Sequence, residues 1–218
     1  MHFYEWLKRR MTVPLGERGH ASANAVSLAD ALENDPFYAA ITGDFSCDDA
    51  QRREVLEAYF DYSMKEGARL GCCTVLPDDD SGAAIWIKPK PKEHLSQSKL
   101  EKHRFLESIL GRNGLADYHR IIGFMSPRAD QVVDSDVWYL SILGVSPHAQ
   151  GRGFGRRLLE PTLDEADRAN AGCYLETYSP RSISFYERLG FRCIVSHVEP
   201  VTSSEYWIMV RMPRDVQR

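Results

Sequence analysis

The spacing of apolar residues along the chain predicts a series of alternating helices and strands. Apolar residues three or four positions apart predict helices over residues 23–33 and 49–66, and a longer helical stretch over 92–125 that Gly111 and Gly114 interrupt. Two short apolar runs at 72–76 and 83–88 flank turn-forming residues and predict a hairpin. The second half then alternates in type, with strands at 137–145, 172–177, 191–197 and 205–211 and helices at 153–170 and 181–189.

This order of elements predicts an α/β fold with a mixed sheet, and we expect one domain over residues 1–218. The stretch 137–145 is an almost unbroken apolar run, which is typical of a strand buried on both faces. Residues 1–20 have no clear pattern. The proline-containing segment 12–16 fits at most a short edge strand, because proline inside a strand is confined to sheet edges.

Composition narrows the class of protein. A hydrophobic share of 43% and a charged share of 27% over 218 residues support a packed domain. The net charge of -4 argues against a dedicated nucleic-acid binder, which normally carries a strong basic excess. No apolar run of membrane-spanning length and no secretion signal is seen, so we expect no membrane association.

The cysteines point to a reducing compartment. Their number is five, Cys72 and Cys73 are adjacent, and no C-x-x-C pair occurs. A disulfide framework or a zinc site is therefore not expected, and free thiols in the cytoplasm fit better. We predict a cytoplasmic protein without a metal.

One loop carries the strongest chemical signal. The segment V-S-P-H-A-Q-G-R-G-F-G-R-R, residues 145–157, follows a predicted buried strand and opens a predicted helix. Its three alternate glycines leave backbone N–H groups uncovered at a helix N-terminus, which carries a partial positive charge. With three arginines beside them, these N–H groups predict a cradle for a pyrophosphate. A simple packing turn does not explain the glycines, the arginines and the strand-to-helix position together.

Two other phosphate-binding loops do not fit this segment. The string G-x-x-x-x-G-K-[ST] of the P-loop is absent. In a dinucleotide-binding G-x-G-x-x-G fingerprint, the last glycine would fall where the chain has Arg156, and the loop would follow its strand directly.

The loop resembles that of a known family. Gln150-x-x-Gly153-x-Gly155, preceded by Val145-x-Pro147, is similar to the acetyl-CoA loop of the GNAT superfamily of N-acetyltransferases. A second motif of that family, F-Y-E-R-L-G-F at 185–191, follows at the expected distance. The resemblance covers residues 138–211, and within the superfamily it is greatest to enzymes that acetylate an aminonucleoside antibiotic. Many family members have Asn where this chain has Ser179, so one contact to the cofactor arm is in doubt.

The resemblance implies a GNAT-like bent mixed sheet, flanked by helices on both faces, with a cofactor-binding core over 137–211. The strand that ends at Val145 would splay from the strand at Leu175, and the pantetheine arm of acetyl-CoA would pair with backbone in that gap. A bulge near Ile142 would free a backbone N–H for the thioester oxygen. The expected cofactor-binding residues are Leu143, Gly144, Val145, Gln150, Gly151, Arg152, Gly153, Phe154, Gly155, Arg156 and Ser182.

Two catalytic residues are expected. Tyr186 is the candidate acid, because the pKa of a phenol near 10 is close to that of a thiol. Glu176 is the candidate base, although a solvated strand-end carboxylate, a water chain or His119 remain alternatives at this point. Aromatic residues often line ligand clefts, and the candidates for the acceptor pocket are Trp86, Tyr139 and Tyr178.

The sequence therefore predicts an acetyl-CoA-dependent N-acetyltransferase that moves an acetyl group to a primary amine of a small molecule by direct attack on the thioester. Two alternatives stay open: acetylation of a protein lysine or N-terminus, and a CoA-binding module without turnover. The expected partner is the amine itself, and a homodimer is possible.

Overall fold

A computed structural model describes residues 21–214, apart from the side chain of Lys92. The possible edge strand at 12–16 lies outside the described residues. The strands are β1 (Gly71–Leu76), β2 (Asp79–Ile87), β3 (Trp138–Val145), β4 (Cys173–Thr177), β5 (Arg192–Glu199) and β6 (Ser204–Arg211). The helices are α1 (Ala23–Leu32), α2 (Pro36–Ile41), α3 (Asp49–Leu70), α4 (Lys92–Ile109), α5 (Gly111–Ala129), α6 (Phe154–Arg168) and α7 (Pro180–Arg188).

The six strands form one mixed sheet in the order β1-β2-β3-β4-β6-β5. Only β3 and β4 run parallel among these strands, since α6 connects them, and the other neighbours are antiparallel. Two separate apolar cores cover the two faces of the sheet. The first includes Leu28, Phe60 and Ile121 from α1, α3 and α5, whereas the second includes Leu158 of α6 and Tyr186 of α7. The predicted fold class, a mixed sheet with helices on both faces, is confirmed.

The local predictions are largely confirmed, with two differences. The side chain that caps α3 is Asp48, whose Oδ1 accepts a hydrogen bond from Gln51 N at 2.9 Å. Helix α3 also continues past Gly67, which is a packing position: a Cβ there would lie 2.4 Å from Ile85 Cγ2. Helix α2 is an element that apolar spacing does not reveal, because it is only six residues long.

An extra residue in β3 changes which face its side chains point to. Ile85 of β2 lies opposite Ile142, and Trp86 lies opposite Leu140, so Ser141 has no partner and forms a bulge. Leu140 packs in the second core, but Ile142, two positions along, packs in the first. The bulge expected near Ile142 is therefore present.

Strands β3 and β4 separate soon after they pair. Their register joins Trp138 to Cys173, Tyr139 to Tyr174 and Leu140 to Leu175, and it ends there. Beyond Leu140, the rest of β3 has its edge on this side unpaired, which opens a gap between the two strands.

Two further findings concern the part of the chain that the structure covers. Within residues 21–214, no helix combines the length and the apolar character needed to cross a bilayer. All five cysteines fall in this range, and each is a free thiol.

Candidate active site

The glycine loop has the backbone conformation of an anion cradle. Gly151 and Gly153 have φ values of +77° and +79°, in the left-handed region that favours glycine. Gly153 is the residue that precedes α6, and no side chain caps the first N–H groups of this helix. A Cβ at either glycine would meet nothing within 4 Å, so the conformation, and not a lack of space, explains these glycines. The uncapped N–H groups are free to bind an anion.

The remaining loop residues have packing roles. The ring of Phe154 is buried in the second core, so only its backbone N–H can face a ligand. A Cβ on Gly155 would come 3.2 Å from Phe185 Cζ, and one on Gly144 would come 2.7 Å from Leu28 Cδ2. The Gln150 side chain turns back and donates from Nε2 to Val145 O at 3.0 Å.

Positive charge surrounds the cradle. Arg152, Arg156 and Arg157 are all exposed. The Arg152 guanidinium lies 4.6 Å from the centre of the Phe154 ring, and Arg156 Nε lies 2.5 Å from Glu160 Oε1 in an exposed ion pair. Exposed ion pairs are weak, so Arg156 can exchange this partner for a phosphate at little cost.

A cavity of about 340 Å³ lies beside the gap between β3 and β4. Its sheet wall includes Ser141, Leu143, Glu176 and Thr177, and α7 contributes Tyr186. Helices α1 to α5 and the turn between α1 and α2 supply the other walls. The two candidate catalytic residues, which are ten positions apart in sequence, thus line one cavity.

Glu176 is held with one carboxylate oxygen unpaired. Its Oε2 accepts a hydrogen bond from the Tyr139 hydroxyl at 3.2 Å, whereas Oε1 is buried and has no hydrogen-bond partner among residues 21–214. Burial raises the pKa of Glu176 to about 7, with a further contribution from the charge of Asp130. A carboxylate with a pKa near neutrality is suited to accept a proton.

Tyr186 lies in the same cavity and is only 8% exposed. Its hydroxyl makes no hydrogen bond within the described chain. Burial raises the pKa of Tyr186 well above 10, so the hydroxyl stays protonated at every physiological pH. The pKa of Tyr186 therefore lies well above that of a thiol, in contrast to the near match expected from the sequence.

Some of the other predicted residues line the cavity and others do not. Tyr139, Tyr178 and Leu143 line it, whereas Ser182 and His119 do not. Ser182, at the start of α7, donates from Oγ to Ser179 Oγ at 3.0 Å. His119 is exposed and lies against His103, with 3.1 Å between their ring nitrogens Nε2 and Nδ1, and it does not line the cavity.

Trp86 corrects a prediction. It is fully buried in the second core and is not among the residues that line the cavity. The reason is strand alternation: Ala83 and Ile85 of β2 point to the first core, and the even-numbered Ala84 and Trp86 point to the other.

Sequence reasoning missed Asp35 and Asp130, which both line the cavity. Asp35 caps α2, since its Oδ1 accepts from Phe37 N at 2.9 Å, and burial raises its pKa to about 6. The dipeptide Asp35-Pro36 was the available signal, because an Asp followed by Pro marks a helix start as well as a helix stop. No local signal points to Asp130.

Comparison with known proteins agrees with this geometry. Residues 27–191 match the model of the acetyltransferase (GNAT) family, and the chain therefore belongs to that family, which uses acetyl-CoA. An uncharacterised N-acetyltransferase of Schizosaccharomyces pombe is 23% identical over 172 residues, covering 77% of this chain and 68% of the relative. A probable serine/threonine-protein kinase of Dictyostelium discoideum is 32% identical over 100 residues, but these make up 10% of that protein and 44% of this chain.

Solved structures share the fold. A histone acetyltransferase HPA2 and related acetyltransferase from Corynebacterium glutamicum has a TM-score of 0.61 at 22% identity, covering 89% of this chain and 92% of that one. An agmatine N-acetyltransferase has a TM-score of 0.54 at 16% identity, covering 85% and 90%. At these identities the likeness shows the fold and leaves the acceptor open.

Proposed function

We propose that this protein is an acetyl-CoA-dependent N-acetyltransferase that acetylates a primary amine of a small molecule by direct attack on the thioester. The observation that carries this proposal is the cavity beside the gap between β3 and β4, which is lined by both Glu176, with its buried and unpaired Oε1, and Tyr186.

The residues of the chain fit the cofactor. The uncapped first turn of α6, with Gly151 and Gly153 in left-handed conformations, would bind the pyrophosphate, and Arg152 and Arg156 would add charge. The unpaired edge of β3 at residues 143–145 would bind the pantetheine arm, although Val145 O already accepts from Gln150. Bound acetyl-CoA supplies the acetyl group as an activated thioester.

Three groups at the cavity each have one task in this scheme. Glu176, through its unpaired Oε1, takes a proton from the acceptor ammonium and so creates the nucleophilic amine. Tyr186, whose raised pKa keeps its proton in place, donates that proton to the sulfur as the carbon–sulfur bond breaks. The N–H freed by the bulge at Ser141 is a candidate donor to the thioester oxygen.

The size of the cavity favours a small acceptor. Its volume of about 340 Å³ lies at the lower end of the range of roughly 300–1,000 Å³ for small-molecule sites. A peptide needs a longer, open cleft. The likeness of residues 144–147, 175–177 and 185–191 to puromycin N-acetyltransferase is a reason to test aminonucleosides among the acceptors.

A turnover screen tests the proposal. Purified protein is mixed with acetyl-CoA and a panel of amines, aminonucleosides and lysine-containing peptides, and release of CoA is followed together with product mass. We expect transfer to at least one small amine and none to peptides. Transfer to peptides alone would favour protein acetylation. Binding of acetyl-CoA without transfer to any acceptor would favour a non-catalytic CoA-binding module.

A further inference from the structure

Three carboxylates line the cavity without a cationic partner: Asp35, Asp130 and Glu176, none of which forms an ion pair with any residue of the described range 21–214. Asp130 is exposed to solvent, so the desolvated carboxylates are those of Asp35 and Glu176. Among the described wall residues the one cation is Lys102, and its Nζ lies 2.7 Å from Glu66 Oε2 and is thereby neutralised. The space between these walls therefore has an excess of negative charge.

Burial makes this excess costly. The pKa values of Glu176 and Asp35 rise to about 7 and about 6 because both groups lose water, which disfavours their charged forms. A buried anion is stabilised when a cation binds next to it. Oε1 of Glu176, fully buried and without a hydrogen-bond partner among residues 21–214, is an open position for such a cation.

The two carboxylates approach the cavity from different elements. Glu176 stands near the end of β4, and Asp35 stands in the turn between α1 and α2. Tyr178 lines the cavity near both carboxylates: burial is the largest cause of its raised pKa, and the charges of Glu199, Asp35 and Glu176 raise it further. The charge of Asp35 also adds to the raised pKa of Tyr186, again after burial. Asp35 thus faces the same space as the two proposed catalytic groups.

The walls between them are aromatic. Tyr38, Tyr139 and Tyr178 line the cavity, and Tyr139 is stacked on Tyr174 with 4.6 Å between ring centres. Tyrosine rings bury an aliphatic chain well, and their faces attract an ammonium group.

We propose that the acceptor is a small diamine, with Glu176 at its reacting nitrogen and Asp35 binding its second, non-reacting ammonium. This inference rests on the proposed function of the site. The new bond joins the reacting nitrogen to the acetyl carbon as the carbon–sulfur bond breaks. Of the two protons that this nitrogen loses, Glu176 passes one to solvent, and the other balances the proton taken up by sulfur. The second ammonium keeps its charge, so the product is a monoacetylated cation.

Two probes of equal chain length test this assignment: 1,4-diaminobutane and 1-aminobutane. We expect the wild-type protein to acetylate the diamine with a kcat/KM about tenfold or more higher, because only the diamine can form a hydrogen-bonded charge contact with Asp35. In Asp35→Asn the ratio of the two kcat/KM values should fall toward one. Asn caps a helix as well as Asp does, so α2 should remain intact.

Asp48→Asn is the matched control, because Asp48 is also a helix cap but lies outside the cavity. It should keep the wild-type ratio. Equal kcat/KM for the two probes in wild type, or a preference that survives in Asp35→Asn, would overturn the assignment.

Calorimetric titration of both probes in the presence of CoA separates this inference from the proposed function. If no amine of the panel is acetylated, but 1,4-diaminobutane binds more tightly than 1-aminobutane and loses that advantage in Asp35→Asn, the diamine site stands and the proposed function fails. If small amines are acetylated with no preference in rate or binding, the proposed function stands and the diamine site is wrong.

Discussion

The glycine loop and the cavity are built in opposite ways. The loop is a continuous segment, residues 145–157, which is positively charged and presents uncapped backbone N–H groups at the start of α6. The cavity has an excess of negative charge and is lined by side chains that six or more elements supply. The difference suggests a division of labour, in which one end binds a constant ligand by main chain and the other selects an acceptor by side chain.

Tyr186→Phe should have the largest effect, because it should lower kcat without changing the binding of acetyl-CoA by the glycine loop. Removal of the hydroxyl should lower kcat by roughly 10²-fold or more, the usual contribution of a general acid, and leave the affinity for acetyl-CoA unchanged. Steady-state kinetics and a binding titration check this. Tyr206→Phe is the control, because the buried Tyr206 hydroxyl has no hydrogen-bond partner among residues 21–214 and lies outside the cavity. Near-normal turnover in Tyr186→Phe would remove Tyr186 from the mechanism.

The effect of Glu176→Gln on kcat/KM should depend on pH. The base must be ionised, so kcat/KM of the wild type should rise as pH increases through about 7. The variant should be slower by roughly 10²-fold at pH 8 and by less at pH 5.5. The ratio of wild type to variant cancels the ionisation of the amine itself. Glu187→Gln, on the exposed side of α7, should follow the wild type, and a ratio that does not change with pH would exclude Glu176 as the base.

Gly153→Ala should weaken the binding of acetyl-CoA by the glycine loop. A side chain at φ +79° costs roughly 1–2 kcal/mol, which corresponds to about a tenfold rise in KM for acetyl-CoA with little change in kcat. Gly123→Ala is the matched control, because a Cβ at this exposed helical position also meets nothing within 4 Å and no unusual φ is needed. An unchanged KM in Gly153→Ala would show that the loop conformation does not contribute to cofactor binding.

The smallest expected effect is on stability. The folded protein holds the Glu176 proton up to about pH 7, whereas an unfolded glutamate releases it near pH 4.5. The free energy of unfolding should therefore fall as pH rises from about 4.5 to 7. Above pH 7, Glu176→Gln should be more stable than the wild type by roughly 1–3 kcal/mol, seen as a higher Tm. A Glu176→Gln variant with a lower Tm than the wild type at pH 8 would contradict the view that the charged Glu176 carboxylate destabilises the folded protein.

The two regions also differ in how far the sequence predicts them. The conformation of the glycine loop could be predicted because it depends on residue types within one segment, and its role in binding an anion stays a prediction. The strands and helices of the second half are found within about two residues of the expected positions. The structure brings Glu176 and Tyr186 to one cavity, as expected, but their roles stay predictions. Asp35 was missed because its contribution depends on where α2 packs, which no periodicity reports.

Trp86 shows the limit of reasoning from residue type. An aromatic residue suits a ligand pocket and a core equally, and only the face of the strand decides between them. Ser141 adds a further difficulty, since an unpaired residue in β3 reverses the inward and outward positions that follow it. Face assignments along such a strand require the register of its neighbour.

The two halves of the sheet are joined by three pairs of residues between β3 and β4, from Trp138–Cys173 to Leu140–Leu175. A molecule bound in the gap beyond them would occupy the position of the missing strand pairing and would hold the two halves of the sheet together. The protein with a molecule bound in this gap should then resist proteolysis better than the free protein. Release of that molecule would again leave the two halves of the sheet joined by the three pairs alone.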